Sequence, residues 1–326
     1  MKAVLPSHTR RLALAALAAL PFAVRAQVFP AKPLRLIVPY PPGGVSDLVA
    51  RALAERMATT LGQPVIIENK PGASGTIGMD LLARAPADGY TLAFSAISPV
   101  TLSPALGKVP YDPEHAFTPV ASVMVSPVLL LATSATAVRD FRELLMHARD
   151  WPGTVRWATS GQASLGHVML EQVQAAAKVR MVHIPYKGGG QQISDALSGQ
   201  FEVLSVNASP AITDHVRAGR LRALAVGSPR RLDALPQVPT LSELGYPDAN
   251  LSSHFGVFAP GNLPLRILDR LNSEVNAALE TPQVRQRLLV SDNLPTGGSA
   301  RDFARQIAAE ADSSARVIRA TGIKAD

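Results

Sequence analysis

The stretch LRLIVPYPPGGVSDLVARALAERMATTL, residues 34–61, decides the fold class. Leu34–Tyr40 is a short apolar run with the length of a buried strand. Pro41, Pro42, Gly43 and Gly44 break it. Ser46 and Asp47 can cap a helix start, and Val49, Leu53, Met57 and Leu61 then fall on one helical stripe. Gly62 ends the helix. Strand, glycine loop and helix in this order form the unit of a parallel sheet with helices on its faces.

The unit recurs along the chain. Val65–Glu68 reads as a strand, Pro71–Gly75 as a second glycine loop, Thr76–Ala85 as a helix and Tyr90–Ser95 as a third strand. A second module follows: strands at Val128–Ala132, Val155–Ala158, Met181–Pro185, Phe201–Val206 and Leu221–Val226, with helices at Arg139–Arg149, up to about Ala177, and up to Leu197. Leu265, Leu268, Leu271, Val275 and Leu279 keep helical spacing behind Pro264, and Arg301–Arg319 continues as a helix. No low-complexity linker separates the modules, so short strands are expected to join them. The expected class is α/β in two modules.

Composition narrows the function. The 326 residues include no cysteine, which excludes a disulfide scaffold, a Cys-ligated metal and a thiol nucleophile. Aromatics at 5% argue against a stacking platform for nucleic acid. Residues 1–26 read as an export signal: Lys2, Arg10 and Arg11, then an apolar run Leu12–Val24, then small residues Val24 and Ala26 before a cut at Gln27. Removing 26 of the 326 residues leaves 300, and the loss of Lys2, Arg10, Arg11 and Arg25 takes the charge from +7 to +3. That balance is no nucleic-acid footprint.

Three loops after strands carry the candidate chemistry, because ligands of open α/β sheets sit outside the carboxyl ends of the strands, against helix N-termini. They are Pro42, Gly43, Gly44 and Ser46; Ser95, Ala96 and Ser98; and Thr159, Ser160, Gly161, Ala163 and Ser164. Tyr186, Lys187 and Gly188 form a fourth, in which Lys187 adds a charge. Each has a plainer reading: a tight turn with a cap for the first, a strand end for the second, a solvated lysine for Lys187. His167 reads as packed or exposed, and Asp47 and Asp195 as helix residues or caps. There is no G-x-S-x-G elbow and no phosphate-binding P-loop. The seven histidines form no H-E-x-x-H, and the glycines at 72, 75 and 78 do not match the dinucleotide fingerprint. The residues describe a binding cleft without catalytic machinery, and no cofactor is expected.

The segments VPYPPGGVSDLVARALAERM (38–57), GQPVIIENKPGASGTIG (62–78), APADGYTL (85–92), WATSGQASLGH (157–167), HIPYKGGGQQISDALSGQ (183–200) and LPQVPTLSELGYPDA (235–249), in this order, resemble the Bug family. These are the TctC-type periplasmic receptors of tripartite tricarboxylate transporters. The resemblance implies a type II periplasmic binding protein, two α/β lobes joined by two crossing strands, here Ser126–Ala132 and Phe255–Pro260. Lobe one would be 27–124 plus 258–326, and lobe two 125–257. It implies a monomer in the periplasm that binds a small organic carboxylate between the lobes, at the loops named above and at Asn207, and hands it to an inner-membrane permease. Two departures bear on the ligand. Phe255 stands before Gly256 where the family often has Trp, and Leu204–Ser209 is more polar than usual on the side that should face the cleft. A ligand sensor for a membrane signalling protein, or an exported hydrolase, are the competing readings.

Overall fold

A computed structural model describes residues 29–321, so the expected export segment lies outside the described residues. Strand β1 (Leu34–Val38) is buried at every position except Arg35. Helix α1 (Val45–Leu61) packs Val49, Leu53 and Met57 on Leu36 and Val38. It stops at Gly62, whose φ of 66° lets its N–H reach the Ala58 carbonyl at 3.1 Å. That left-handed closure suits a residue without a Cβ. Strand β2 (Val65–Asn69), helix α2 (Thr76–Ala83) and strand β3 (Thr91–Ala96) follow, and β1 pairs in parallel with both strands.

After helix α3 (Ser98–Leu106) comes β4, a strand of 16 residues, Phe117–Ala132. The second unit holds α4 (Phe141–Asp150), β5 (Arg156–Thr159), α5 (Leu165–Ala177), β6 (Val182–Pro185) and α6 (Gly189–Leu197). It continues with β7 (Val203–Asn207), α7 (Pro210–Arg217) and β8 (Arg222–Gly227). Strand β9 (Ser252–Pro260) returns, then α8 (Leu265–Glu280), α9 (Pro282–Leu289), β10 (Leu294–Pro295) and α10 (Ala300–Thr321) close the described chain.

The strands lie in the order β2-β1-β3-β9-β4-β7-β5-β6, with β8 and β10 also paired to β4. Strand β4 is the common member. From Phe117 to Pro127 it runs antiparallel to β9, and from Val128 to Ala132 it pairs with β7 and β8. The apolar clusters divide at the same point. Leu34, Leu53, Met57 and Val275 share one cluster, and Ile37, Met79, Phe258 and Phe303 another, on the first side. Leu130, Trp157 and Met169, and separately Leu129, Phe201 and Leu204, form the clusters of the second side.

The expected crossing segments, Ser126–Ala132 and Phe255–Pro260, lie within β4 and β9, which extend beyond them at their N-terminal ends to Phe117 and Ser252. Pro119 hid the first part of β4. It sits where the register shifts between Pro119 and Ala121, a place in a ladder that tolerates a missing N–H. Helices α3, α7 and α9 went unread for a related reason. Each carries Pro in its first turn, where the missing N–H has no intrahelical partner to lose.

Candidate functional site

A cavity of about 120 Å³ opens between the two sides of the sheet, enough for several waters or one small molecule. Its walls are the carboxyl ends of two sets of three parallel strands, β1–β3 and β5–β7, and the helix starts that follow them. From the first side come Tyr40, Pro41, Gly43, Gly44 and Ser46 after β1, Ser74 after β2, and Ala96 and Ser98 after β3. From the second come Ser160, Ser164 and Gly166 after β5, Gly189 and Gly190 after β6, and Ser205, Asn207 and Ser209 at the end of β7. Val128 of β4 and Ser253 and Phe255 of β9 floor the cavity where the crossing strands pass beneath it.

Five helices begin at this cavity: α1, α3, α5, α6 and α7. The first four N–H groups of a helix have no intrahelical partner, and the aligned peptide dipoles add partial positive charge there. Helix α5 spends part of this on its own cap, Ser164, whose hydroxyl accepts from His167 N, and α7 does the same through Ser209 and Ile212 N. Helices α1, α3 and α6 start from Gly44, Ile97 and Gly188 with no side-chain cap, so no side chain caps their first amides; in α3, Pro99 has no N–H and the Val100 amide bonds to the Ile97 carbonyl.

Among the described residues that line the cavity, none has a side chain ionised at neutral pH. Tyr40 is the one titratable group among them; burial pushes its phenol up to about 12, against hydrogen bonds from the Ser95 side chain and the Ala96 backbone that favour the anion. Asp47 lies behind the wall and shapes it. Its carboxylate accepts from Gly43 N at 3.1 Å, from Asn69 Nδ2 at 3.0 Å and from Arg51 Nε at 3.0 Å. Burial alone would raise its pKa, but these partners outweigh burial and hold it below the usual range. Asn69 Nδ2 also donates to the Tyr40 carbonyl at 3.1 Å. The glycine loop is therefore tied at both ends by one buried carboxylate and one amide. The Arg51 charge is matched by Asp47, so the cavity receives little net cationic field from it.

The structure brings Gly43, Gly44, Ser46, Ala96, Ser98, Ser160, Ser164 and Asn207 to the cavity. The other expected residues lie off its surface. Pro42 is passed over between Pro41 and Gly43. Ser95 is fully buried and its hydroxyl donates to the Ala96 carbonyl at 2.8 Å. Thr159 is fully buried too, meeting His183 Nε2 at 2.7 Å and accepting from Gly161 N at 3.2 Å. Gly161 and Ala163 shape that loop with φ of 147° and 58°. Tyr186 donates to Asp195 Oδ2 at 2.7 Å, Lys187 is exposed, and Gly188 serves as the α6 cap. Sequence reasoning missed Tyr40, Pro41, Ser74, Ser205, Ser209 and Ser253. Ser205 and Ser209 sit in the segment flagged as unusually polar, which was their signal. Ser74 sits in the second glycine loop, outside the candidate loops of the sequence.

A family model described as "Tripartite tricarboxylate transporter family receptor" matches residues 49–323. Protein BugT of Bordetella pertussis (strain Tohama I) is 36% identical over 303 residues, covering 92% of this chain and 93% of that protein. Among solved structures, Rpa4515 of R. palustris, determined with adipate, superposes with a TM-score of 0.85 at 32% identity, covering 91% of this chain and 99% of that one. MatC (Rpa3494) from Rhodopseudomonas palustris, with bound malate, superposes with a TM-score of 0.84 at 30% identity, covering 89% and 100%.

Proposed function

Since the chain belongs to the tripartite tricarboxylate transporter receptor family, whose structurally known members are periplasmic solute-binding proteins, we propose that it binds a small organic carboxylate in the cavity between its two sides and delivers it to an inner-membrane permease. The observation that carries this reading is the convergence of uncapped helix starts on a small cavity whose lining holds no ionised side chain. Such a lining favours an anion through amide N–H groups and hydroxyls, and it does so without burying a lysine or arginine. Hydrogen bonds to a charged group contribute roughly 1.5–3 kcal/mol each. A few of them reach the ~8 kcal/mol that micromolar affinity requires. Two relatives solved with adipate and with malate support the same ligand class.

In this reading the lobes are 27–124 with 258–326, and 125–257, and they close on the ligand about β4 and β9. The protein is exported by residues 1–26, acts in the periplasm as a monomer, needs no cofactor and catalyses no reaction. The permease recognises the closed form.

The test is a thermal-shift screen of residues 27–326, unfolded and refolded beforehand to strip any co-purified ligand. A carboxylate at about 100 times its Kd adds ~2.7 kcal/mol, a rise of about 5 °C for a chain of this size. A single class of carboxylates raising the melt is the expected result. No shift with any carboxylate, together with no small acid found by mass spectrometry in the native protein, overturns the proposal.

A further inference from the structure

The two walls of the cavity touch at points that only particular residues allow. Ser74, in the turn between β2 and α2, donates its hydroxyl to the backbone carbonyl of Gln162, in the loop between β5 and α5 on the opposite wall. Beside it, a Cβ added to Gly161 would overlap the Ser74 hydroxyl and come within 3.0 Å of the Tyr186 carbonyl. At a second point, a Cβ on Gly188 would come within 2.7 Å of Pro41 Cγ, again from wall to wall. Two glycines are therefore seats into which the first wall fits.

The turn that presents Ser74 is held in an unfavourable shape. Gly72, Ala73, Ser74 and Gly75 have φ of 134°, 45°, 52° and 102°, so two residues with side chains occupy the left-handed region in succession. Such conformations persist where surrounding contacts over-determine them, and they cluster at clamps and switches. The Ser74 hydroxyl reaches across the cleft to the Gln162 carbonyl.

We propose that Ser74 is a latch: its hydrogen bond to the Gln162 carbonyl holds the two walls together, with Gly161 and Gly188 as the seats that permit the approach. The latch biases the protein toward the closed arrangement before any ligand enters. A ligand then meets a cavity already part-assembled, and less of its affinity is used to bring the walls together. The partner at the second wall is a backbone carbonyl, so the contact does not depend on the Gln162 side chain.

The absence of cysteine allows a clean test. Leu81→Cys on α2 and Gln191→Cys on α6, both exposed, carry spin labels whose separation is read by pulsed electron resonance in ligand-stripped protein. The expected result is a short-distance population in the labelled parent whose ratio to the long-distance population falls about fivefold in Ser74→Ala, the size of effect one neutral hydrogen bond supports. It falls equally in Ser74→Gly, in which glycine accepts the φ of 52° more readily and the melting temperature is not lowered. A distance distribution unchanged by either substitution overturns the latch, as does a parent with no short-distance population. No ligand is added, so the outcome stands apart from whether the carboxylate assignment holds.

Discussion

At the scale of single residues, what matters is where a hydroxyl points. Ser46 and Ser98 line the cavity, each at the start of an uncapped helix. Ser95, three positions before Ser98, is fully buried with its hydroxyl committed to the Ala96 carbonyl and to Tyr40. These environments predict different losses. Ser46→Ala and Ser98→Ala should each weaken carboxylate binding by roughly 10-fold or more, with the melting temperature of the stripped protein unchanged; titration calorimetry beside a melt checks both. Ser95→Ala should instead lower the melt of the stripped protein, because the Tyr40 hydroxyl then loses a partner inside the wall. Sequence could name all three serines as strand-end hydroxyls. It could not tell them apart, because the direction of a side chain at a strand end follows from the twist and packing of the sheet.

At the scale of elements, the β5–α5 loop is braced from behind by two stacked imidazoles. His167 of α5 and His183 of β6 lie with ring centroids 4.0 Å apart and planes within 3°. His183 meets the Thr159 hydroxyl, which in turn holds Gly161. Burial, and secondarily the neighbouring His167, lowers the His183 pKa to about 3. The carboxylate of Glu171 stands 3.7 Å from His167 Nε2. An unfolded histidine titrates near 6.5, so the unfolded chain takes up a proton that folded His183 refuses. Stability from this group is fully present above about pH 6.5 and declines as pH falls toward 3. In His183→Gln the melting temperature should fall less steeply across that window than in the parent, which a pH series of melts reads directly. An equal slope would mean that other groups carry the acid sensitivity. Element identity was legible where periodicity ruled, as in α1 and α8. It was not legible where proline masked it, as in β4, α3, α7 and α9, since proline weakens the strand or helix signal while the folded structure places it where no hydrogen bond is lost.

At the scale of the molecule, the floor of the cavity and the outer core are one construction. Strand β9 gives Ser253 and Phe255 to the cavity, while its Phe258 packs on Phe303 of α10 with centroids 5.3 Å apart. Between them, a Cβ on Gly256 would overlap the Phe303 ring. Helix α10 thus supports the strand that runs under the cavity from the far face of the sheet. Phe303→Ala should cost about 3–5 kcal/mol in denaturant unfolding, the price of a large cavity at a residue only 1% exposed. Carboxylate affinity, measured where the variant is still folded, should change less than threefold, since the ring supports β9 without reaching the ligand. A large loss of affinity at constant stability would reverse that assignment.

By itself the sequence determined the α/β class, the alternation of strand, glycine loop and helix, and the family, because these depend on local spacing and on the order of motifs along the chain. It also placed the glycine loops at strand ends, since a glycine loop between a strand and a helix has one topological place in a parallel sheet. Long-range packing set which hydroxyls face the cavity, that β4 serves both sides of the sheet, and that Ser74 meets Gln162 from the opposite wall. Those outcomes depend on contacts between segments some ninety residues apart (74 and 162), and the chain's local pattern carries no record of how two loops so distant will be brought face to face.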